Sequence, residues 1–267
     1  MSEGVRLYLF DGGLIRLPKR NTILGAPDGH ELIDTPVTWF VVTHPRGNVL
    51  VDGGNAPEVA VDAKAHWGKI TDNSTPIFAA EDAVLPSLRR TGFDPASFRW
   101  IVQSHLHIDH TGALAVIGEF PNAQVLVTRT EHEFVHDPPS IAAMGYCQAD
   151  YVKPGIDWVL LEETEDGYDL FGDGSFRCWR TPGHCPGHQS FEVRTGSGAA
   201  YMLTIDAAFT LDHLHERVFP GFFMDAVESE RSVRKLRRLA GRSGAMLIAG
   251  HDPVQWPGLE KAPGYYE

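Results

Sequence analysis

The sequence is short of cysteine, short of cationic residues and free of long apolar runs. Only Cys147, Cys178 and Cys185 stand among its 267 residues, an odd number with no CxxC spacing. That excludes a disulfide framework and fits a reducing compartment. No apolar run approaches the roughly 18–20 residues of a membrane-spanning helix, so no membrane association is expected. Met1-Ser2-Glu3-Gly4 lacks the basic start and long apolar stretch of a secretory signal, and a cytoplasmic location is the expectation. Lys and Arg number 23 against 35 Asp and Glu, a formal charge of −12. Nucleic acid is therefore not an expected partner, because its binders need a concentrated basic patch. The densest basic run, Arg231 to Arg238, reads as one solvated helix face. No repeat, low-complexity tract or linker breaks the chain.

What is present is ordinary globular material. Hydrophobic residues make up 43% and charged residues 22%, close to the average for folded proteins. A chain of this size hides about three quarters of its unfolded surface, so it needs no covalent staple. Alternation predicts strands over 5–10 and 37–42, then 49–51 after the Pro45-Arg46-Gly47-Asn48 turn. Helical spacing with early acids and late arginines predicts a helix over 79–90, stopped at Gly92. Short apolar runs predict strands at 98–102, 123–128, 158–161, 176–180, 190–193, 201–205 and 245–249. A short helix is expected at 111–117 and a longer one at 225–239. Residues 131–160 lose clear periodicity and read as a cap or insertion. Strands covered by helices, within a single domain over 1–267, are the expected architecture.

The 13 histidines carry the functional signal. His105-x-His107-x-Asp109-His110 follows a strand and gathers four potential ligands within six residues. One metal could take His105 and His107, and a second Asp109 and His110. Burying that many titratable groups without a metal would be costly. The Gly- and Pro-rich run Thr181 to His188 also follows a strand and adds His184, with His188 either supporting or structural. Ile205-Asp206 and Ala249-Gly250-His251-Asp252 each present a polar residue at the end of an apolar strand, where position is held well. Asp52, after another strand, could orient a ligand histidine. Imidazole and carboxylate donors suit zinc, and also iron or manganese.

At these residues the sequence resembles the metallo-β-lactamase superfamily, and in particular its N-acyl-homoserine lactone lactonases. The resemblance rests on the SHLHxDH run (Ser104 to His110), TPGHxPGHQS (Thr181 to Ser190), LTIDAA (Leu203 to Ala208) and GHD (Gly250 to Asp252). It implies an α/β fold, an αββα sandwich of two mixed sheets flanked by helices. It implies two divalent metal ions, zinc first, with iron, manganese or cobalt as alternatives. His105, His107 and His184 would hold one ion; Asp109, His110 and His251 would hold the other; Asp206 would bridge. A hydroxide between the metals would open the lactone ring, an activity known as quorum quenching, with Asp109 carrying the proton to the leaving alkoxide. Lactonases of this kind usually carry a tyrosine three residues after the bridging aspartate, and its hydroxyl contacts the substrate carbonyl region. Here that substrate-facing position is Phe209. A homodimer is an expectation of the resemblance alone.

Other readings remain open at this point. Another lactone, or a thioester of the glyoxalase II type, would use a similar ligand set. The latter normally needs basic residues near the C-terminal end, and residues 259–267 offer little of that. The aromatics Phe134, Tyr146, Tyr151, Trp158, Phe222 and Phe223 could form an apolar wall for an acyl chain, or could simply be core.

Overall fold

A computed structural model describes residues 4–136, 144–162, 167–214 and 218–267. The chain begins with a long antiparallel pair, β1 (Arg6–Pro18) against β2 (Leu32–Thr43). The alternation that predicts a strand stops at Phe10, but β1 continues across Gly12-Gly13, where the register shifts. Gly13, at φ 83°, has no room for a side chain, because a Cβ would lie 2.7 Å from the Ile77 carbonyl oxygen. Glycine here lets one strand bend and keep pairing.

β3 (Asn48–Val51) adds to β2, and β5 (Phe98–Val102), β6 (Gln124–Thr128) and β7 (Trp158–Leu161) follow in parallel. With β4 (Thr75–Ile77) on the outer side of β1, they form a seven-stranded sheet of order β4-β1-β2-β3-β5-β6-β7. The second sheet has five strands: β8 (Tyr168–Asp169), β9 (Phe176–Arg180), β10 (Gln189–Arg194), β11 (Ala200–Ile205) and β12 (Met246–Ala249). Its order is β12-β11-β10-β9-β8, antiparallel except for β11 with β12. Both sheets are mixed, as expected.

The sheets pack face to face through Leu7, Leu9, Phe40, Val42, Val51 and Val102 on one side and Phe176, Phe191, Val193, Leu203 and Ile248 on the other, all buried. Burying such side chains contributes about 1.5–3 kcal/mol each. The outer face of the large sheet is covered through Leu88 of α2 (Val84–Thr91), Leu114 of α3 (Gly112–Ala115) and Val135 of α4 (Arg129–His136). The small sheet is covered by α6 (Ala226–Ser243), whose Leu236 and Ala240 pack on Trp179 and Met202. The layers run αββα.

The helix predicted over 79–90 starts later than expected, and three helices have no counterpart among the predicted ones. α2 starts at Val84, because Ala80–Asp82 form a separate 3-10 turn. Pro86 then falls in the first helical turn, where its missing N–H costs nothing. Gly92 ends the helix in the left-handed conformation, as predicted. α6 takes up the basic run, and its exposed Arg231 and Arg234 pair with Glu228 and Glu230 on the same helix. α1 (Val59–Trp67) buries only Val59 and Trp67, so its sequence carries little periodic signal. Within the 131–160 segment, α4 ends at His136 and α5 (Gln148–Tyr151) follows. Residues 137–143 of that segment lie outside the described residues.

Candidate metal centre

The chemistry-bearing residues emerge where strands end. β3 delivers Asp52, β5 the loop of 103–110, β9 the loop of 181–188, β11 Asp206, and β12 His251. Parallel pairing of β3 with β5, and of β11 with β12, brings these ends to one edge of each sheet. Two non-glycine residues there are left-handed, Asp52 (φ 63°) and Ile205 (φ 49°). Such positions cost about 1–3 kcal/mol each and persist only where the surroundings hold them. Asp52 is held by three contacts: the Ser104 amide at 2.7 Å, the Ser104 hydroxyl at 2.8 Å and His110 Nδ1 at 3.0 Å. At Ile205 the bend turns the chain so that Asp206 enters the cluster, and Gly250 passes close by: a Cβ there would lie 2.6 Å from the Ile205 carbonyl oxygen.

The structure brings all seven expected ligands together, in two groups. In the first, His107 Nδ1 lies 2.9 Å from His105 Nε2 and 2.8 Å from His184 Nε2. Asp206 Oδ2 joins them, 3.2 Å from His184 Nε2 and 3.7 Å from His105 Nε2. In the second, His110 Nε2 is 3.6 Å from Asp109 Oδ1, and His251 Nε2 is 3.7 Å from Asp109 Oδ2. Asp206 spans both groups, because its Oδ1 lies 3.4 Å from His110 Nε2 and 3.1 Å from His251 Nε2.

This donor set fits two divalent cations. His105 donates Nδ1–H to the Ser104 hydroxyl (2.9 Å), and His251 donates Nδ1–H to the Pro36 carbonyl (2.7 Å). Each therefore aims an Nε2 lone pair inward, the tautomer a metal-bound imidazole needs. His110 donates Nδ1–H to Asp52, and its buried Nε2 has no hydrogen-bond partner among the described residues. His107 Nδ1 lies 2.8–2.9 Å from two other imidazole nitrogens and cannot satisfy both with one shared proton. A cation among them removes that conflict.

Electrostatics point the same way. Burial, reinforced by neighbouring imidazoles, holds His105 and His107 well below the ordinary histidine range, in the neutral form that binds metal. Burial also lowers His184, against the pull of Asp206. His110 and His251 are pushed down by burial, but the carboxylates around them, Asp206 foremost, outweigh it and raise both. Burial opposes ionisation of Asp206, yet His251, His110 and His184 hold its carboxyl well below the usual range. Cations in the site would compete with protons for the His110 and His251 nitrogens and supply the positive charge that these carboxylates favour.

His188 does not join the ligands. It donates Nδ1–H to the Thr181 carbonyl (3.1 Å), and its Nε2 accepts from the Asp206 amide (3.2 Å), so it positions Asp206. Glu131 was not foreseen. Fully buried, it accepts from the Leu106 amide (3.1 Å), the Tyr146 hydroxyl (3.1 Å) and the Gly187 amide (3.2 Å). It thereby ties the 103–110 loop to the 181–188 loop. A Cβ on Gly187 would lie 2.2 Å from the Glu131 amide nitrogen, so only glycine admits this contact.

A cavity of about 910 Å³ opens onto the cluster. His107, Asp109, His184, Asp206 and His251 line its floor, and Ile15, Leu17, Ile70, Met144 and Phe222 its walls. Phe209 sits at the floor, its ring 5.3 Å from His184 and 5.4 Å from His251. Of the aromatics weighed as a wall, Tyr146 and Phe222 line the cavity. Tyr151 belongs to the core, with Phe134 and Trp158 packed against it. The segment 144–148 is stitched to the ligand loop by the Ile108 amide donating to the Gly145 carbonyl (2.9 Å).

Comparison with known proteins follows the same line. The family model for the metallo-beta-lactamase superfamily matches residues 32–251. The chain is 44% identical to N-acyl homoserine lactonase AttM of Azorhizobium caulinodans, over 98% of this chain and 99% of that one. It is 43% identical to the enzyme of the same name from Agrobacterium fabrum, over 98% of each. Among solved structures it resembles an N-acyl homoserine lactone hydrolase with the product N-hexanoyl-L-homoserine bound at its catalytic metal center. That match has a TM-score of 0.85 and 26% identity, and covers 98% of both chains.

Proposed function

The chain belongs to the metallo-beta-lactamase superfamily, and on that footing we propose that it opens the ring of N-acyl-homoserine lactones by metal-dependent hydrolysis. The observation that carries this reading is Asp206, whose two oxygens face two separate groups of ligands at the floor of an apolar-walled cavity. The names of the relatives and the product complex of the structural neighbour support the substrate class. We read the whole chain as one hydrolase domain, with the 131–160 segment as its cap.

His105, His107 and His184 would hold one ion and Asp109, His110 and His251 the other, with Asp206 between them; zinc suits this nitrogen- and oxygen-rich set. When bound, the ions lower the pKa of water towards neutrality and polarise the lactone carbonyl. The remaining work falls to the chain. Asp109 is the more exposed of the two ligand carboxylates, 13% against 4% for Asp206. We assign its carboxylate the role of taking the proton of the attacking water and delivering it to the ring oxygen as the C–O bond breaks. The product is the free carboxylate with a hydroxyl at the former ring oxygen. The Phe209 side chain offers no hydrogen bond; its ring packs at the floor beside His184 and His251. The apolar wall accepts the acyl chain, and the cavity is within the roughly 300–1,000 Å³ usual for small-molecule sites.

Product analysis tests the reading. Incubation with N-hexanoyl-homoserine lactone should yield the ring-opened acid, with one water added. A glutathione thioester offered in parallel should be cleaved far more slowly. Preferential thioester cleavage would move the chain to the glyoxalase II type of reaction.

A further inference from the structure

A second set of donor side chains gathers at the wall of the same cavity and has no part in the chemistry above. Cys147 immediately precedes α5, and Asp150 lies three residues on, within its single turn. His66, in the last turn of α1, reaches both. Its Nε2 is 2.9 Å from Asp150 Oδ1 and 3.6 Å from Cys147 Sγ, and the three donor atoms all lie within 4.8 Å of one another. The other Asp150 oxygen accepts from the Thr111 hydroxyl at 2.7 Å, which fixes the plane of the carboxylate. Asp150 is buried behind the pair, whereas His66 and Cys147 both face the cavity.

We propose that His66, Cys147 and Asp150 form a third divalent-metal site, of the zinc and cobalt class, on the cavity wall, with one coordination position open to the cavity. Tetrahedral zinc binds thiolate at about 2.3 Å and imidazole or carboxylate at about 2.0–2.2 Å, which places sulfur and nitrogen about 3.6 Å apart and nitrogen and oxygen about 3.4 Å apart. The sulfur–nitrogen separation is already 3.6 Å. The nitrogen–oxygen separation must open from 2.9 Å, a small swing of the His66 ring. A thiolate among the donors selects zinc or cobalt over magnesium or calcium. It also sets this site apart from the dinuclear centre, which has no sulfur ligand. With no cation present, hydrogen bonds to Asp150 and then Cys147 keep a proton on His66 and raise it to about 10. A bound ion takes the place of that proton. The site rests on these three side chains and on no assumption about the substrate, so its failure would leave the lactonase reading standing.

Cobalt(II) titration of the metal-depleted full chain tests it. Thiolate coordination to cobalt gives an intense near-ultraviolet charge-transfer absorption that nitrogen and oxygen ligands do not. The wild type should bind a third equivalent of cobalt and develop this band. Cys147→Ser should lose the band while retaining the other two equivalents. His66→Gln keeps the thiol, and should bind the third equivalent at least tenfold more weakly with the others unchanged. Saturation at two equivalents without the band, or a band that survives in Cys147→Ser, would overturn the assignment. So would an unaltered third equivalent in His66→Gln.

Discussion

Replacing Asp52 with Asn tests how the metal centre is held without touching a ligand. Asp52 is buried, and its Oδ2 accepts from both the Ser104 hydroxyl and His110 Nδ1–H, while its Oδ1 accepts from the Ser104 amide. Asn matches its shape. Its carbonyl must stay on the Ser104 amide, which can only donate, so the NH2 group falls opposite His110 Nδ1. Two donors cannot face each other, and His110 is driven to the tautomer protonated on Nε2. That is the nitrogen aimed at Asp206 and Asp109, and once protonated it cannot ligate. Losing such a partner typically costs 10–100-fold in metal affinity, or about 1.4–2.7 kcal/mol. The loss should fall on the ion held by Asp109, His110 and His251. The assay is competition with a chromophoric chelator, together with metal content per chain and circular dichroism as a check on folding. A folded Asp52→Asn protein that binds both ions as tightly as wild type would refute the reasoning.

Phe209→Tyr places a hydroxyl on the cavity floor; one hydrogen bond to the substrate, worth about 0.5–1.5 kcal/mol, should raise kcat/KM on acyl-homoserine lactones roughly two- to twelve-fold. An unchanged or lower kcat/KM would mean that this ring does not face the reacting group. Gly187→Ala drives a Cβ into Glu131, and should lower both the thermal midpoint and the metal content as the two ligand loops part, at a cost of about 1–3 kcal/mol. At Asp173, burial raises the carboxyl, but the Ser175 hydroxyl and amide and the His44 ring outweigh it and hold the group below its ordinary 3.8. A depressed carboxyl stabilises the fold fully above that unfolded value, and this stability is lost as pH falls from there through the lower folded value. Asp173→Asn should therefore melt roughly 2–4 °C lower at neutral pH, about 1 kcal/mol, and converge with wild type in acid; a gap that persists at low pH would contradict this.

The ligand loops were legible because each is a local run with metal-binding spacing placed straight after an apolar strand. His105, His107, Asp109 and His110 needed no knowledge of the fold to be singled out. Asp206 and His251 needed the resemblance, since one aspartate after Ile205 and one histidine after Gly250 have no pattern of their own. Glu131 was invisible for a physical reason. Its partners, Leu106 and Gly187, are 25 and 56 residues away, and in sequence it is one acid at the start of a segment without clear periodicity. The alternation predicts only the first half of β1, because Gly12-Gly13 has the chemistry of a strand end, whereas the structure uses it as a bulge within a continuing strand. The wall aromatics separated only in three dimensions: Tyr146 and Phe222 at the cavity, Tyr151 in the core.

Proton release at constant pH from N-acyl-homoserine lactones, measured on one preparation before and after metal depletion and after restoring zinc, tests the central claim most directly. Release should be abolished by the chelator and return as about two ions per chain are restored. A chain that binds two ions and opens no homoserine lactone, or one that opens them undiminished once stripped of metal, would contradict it.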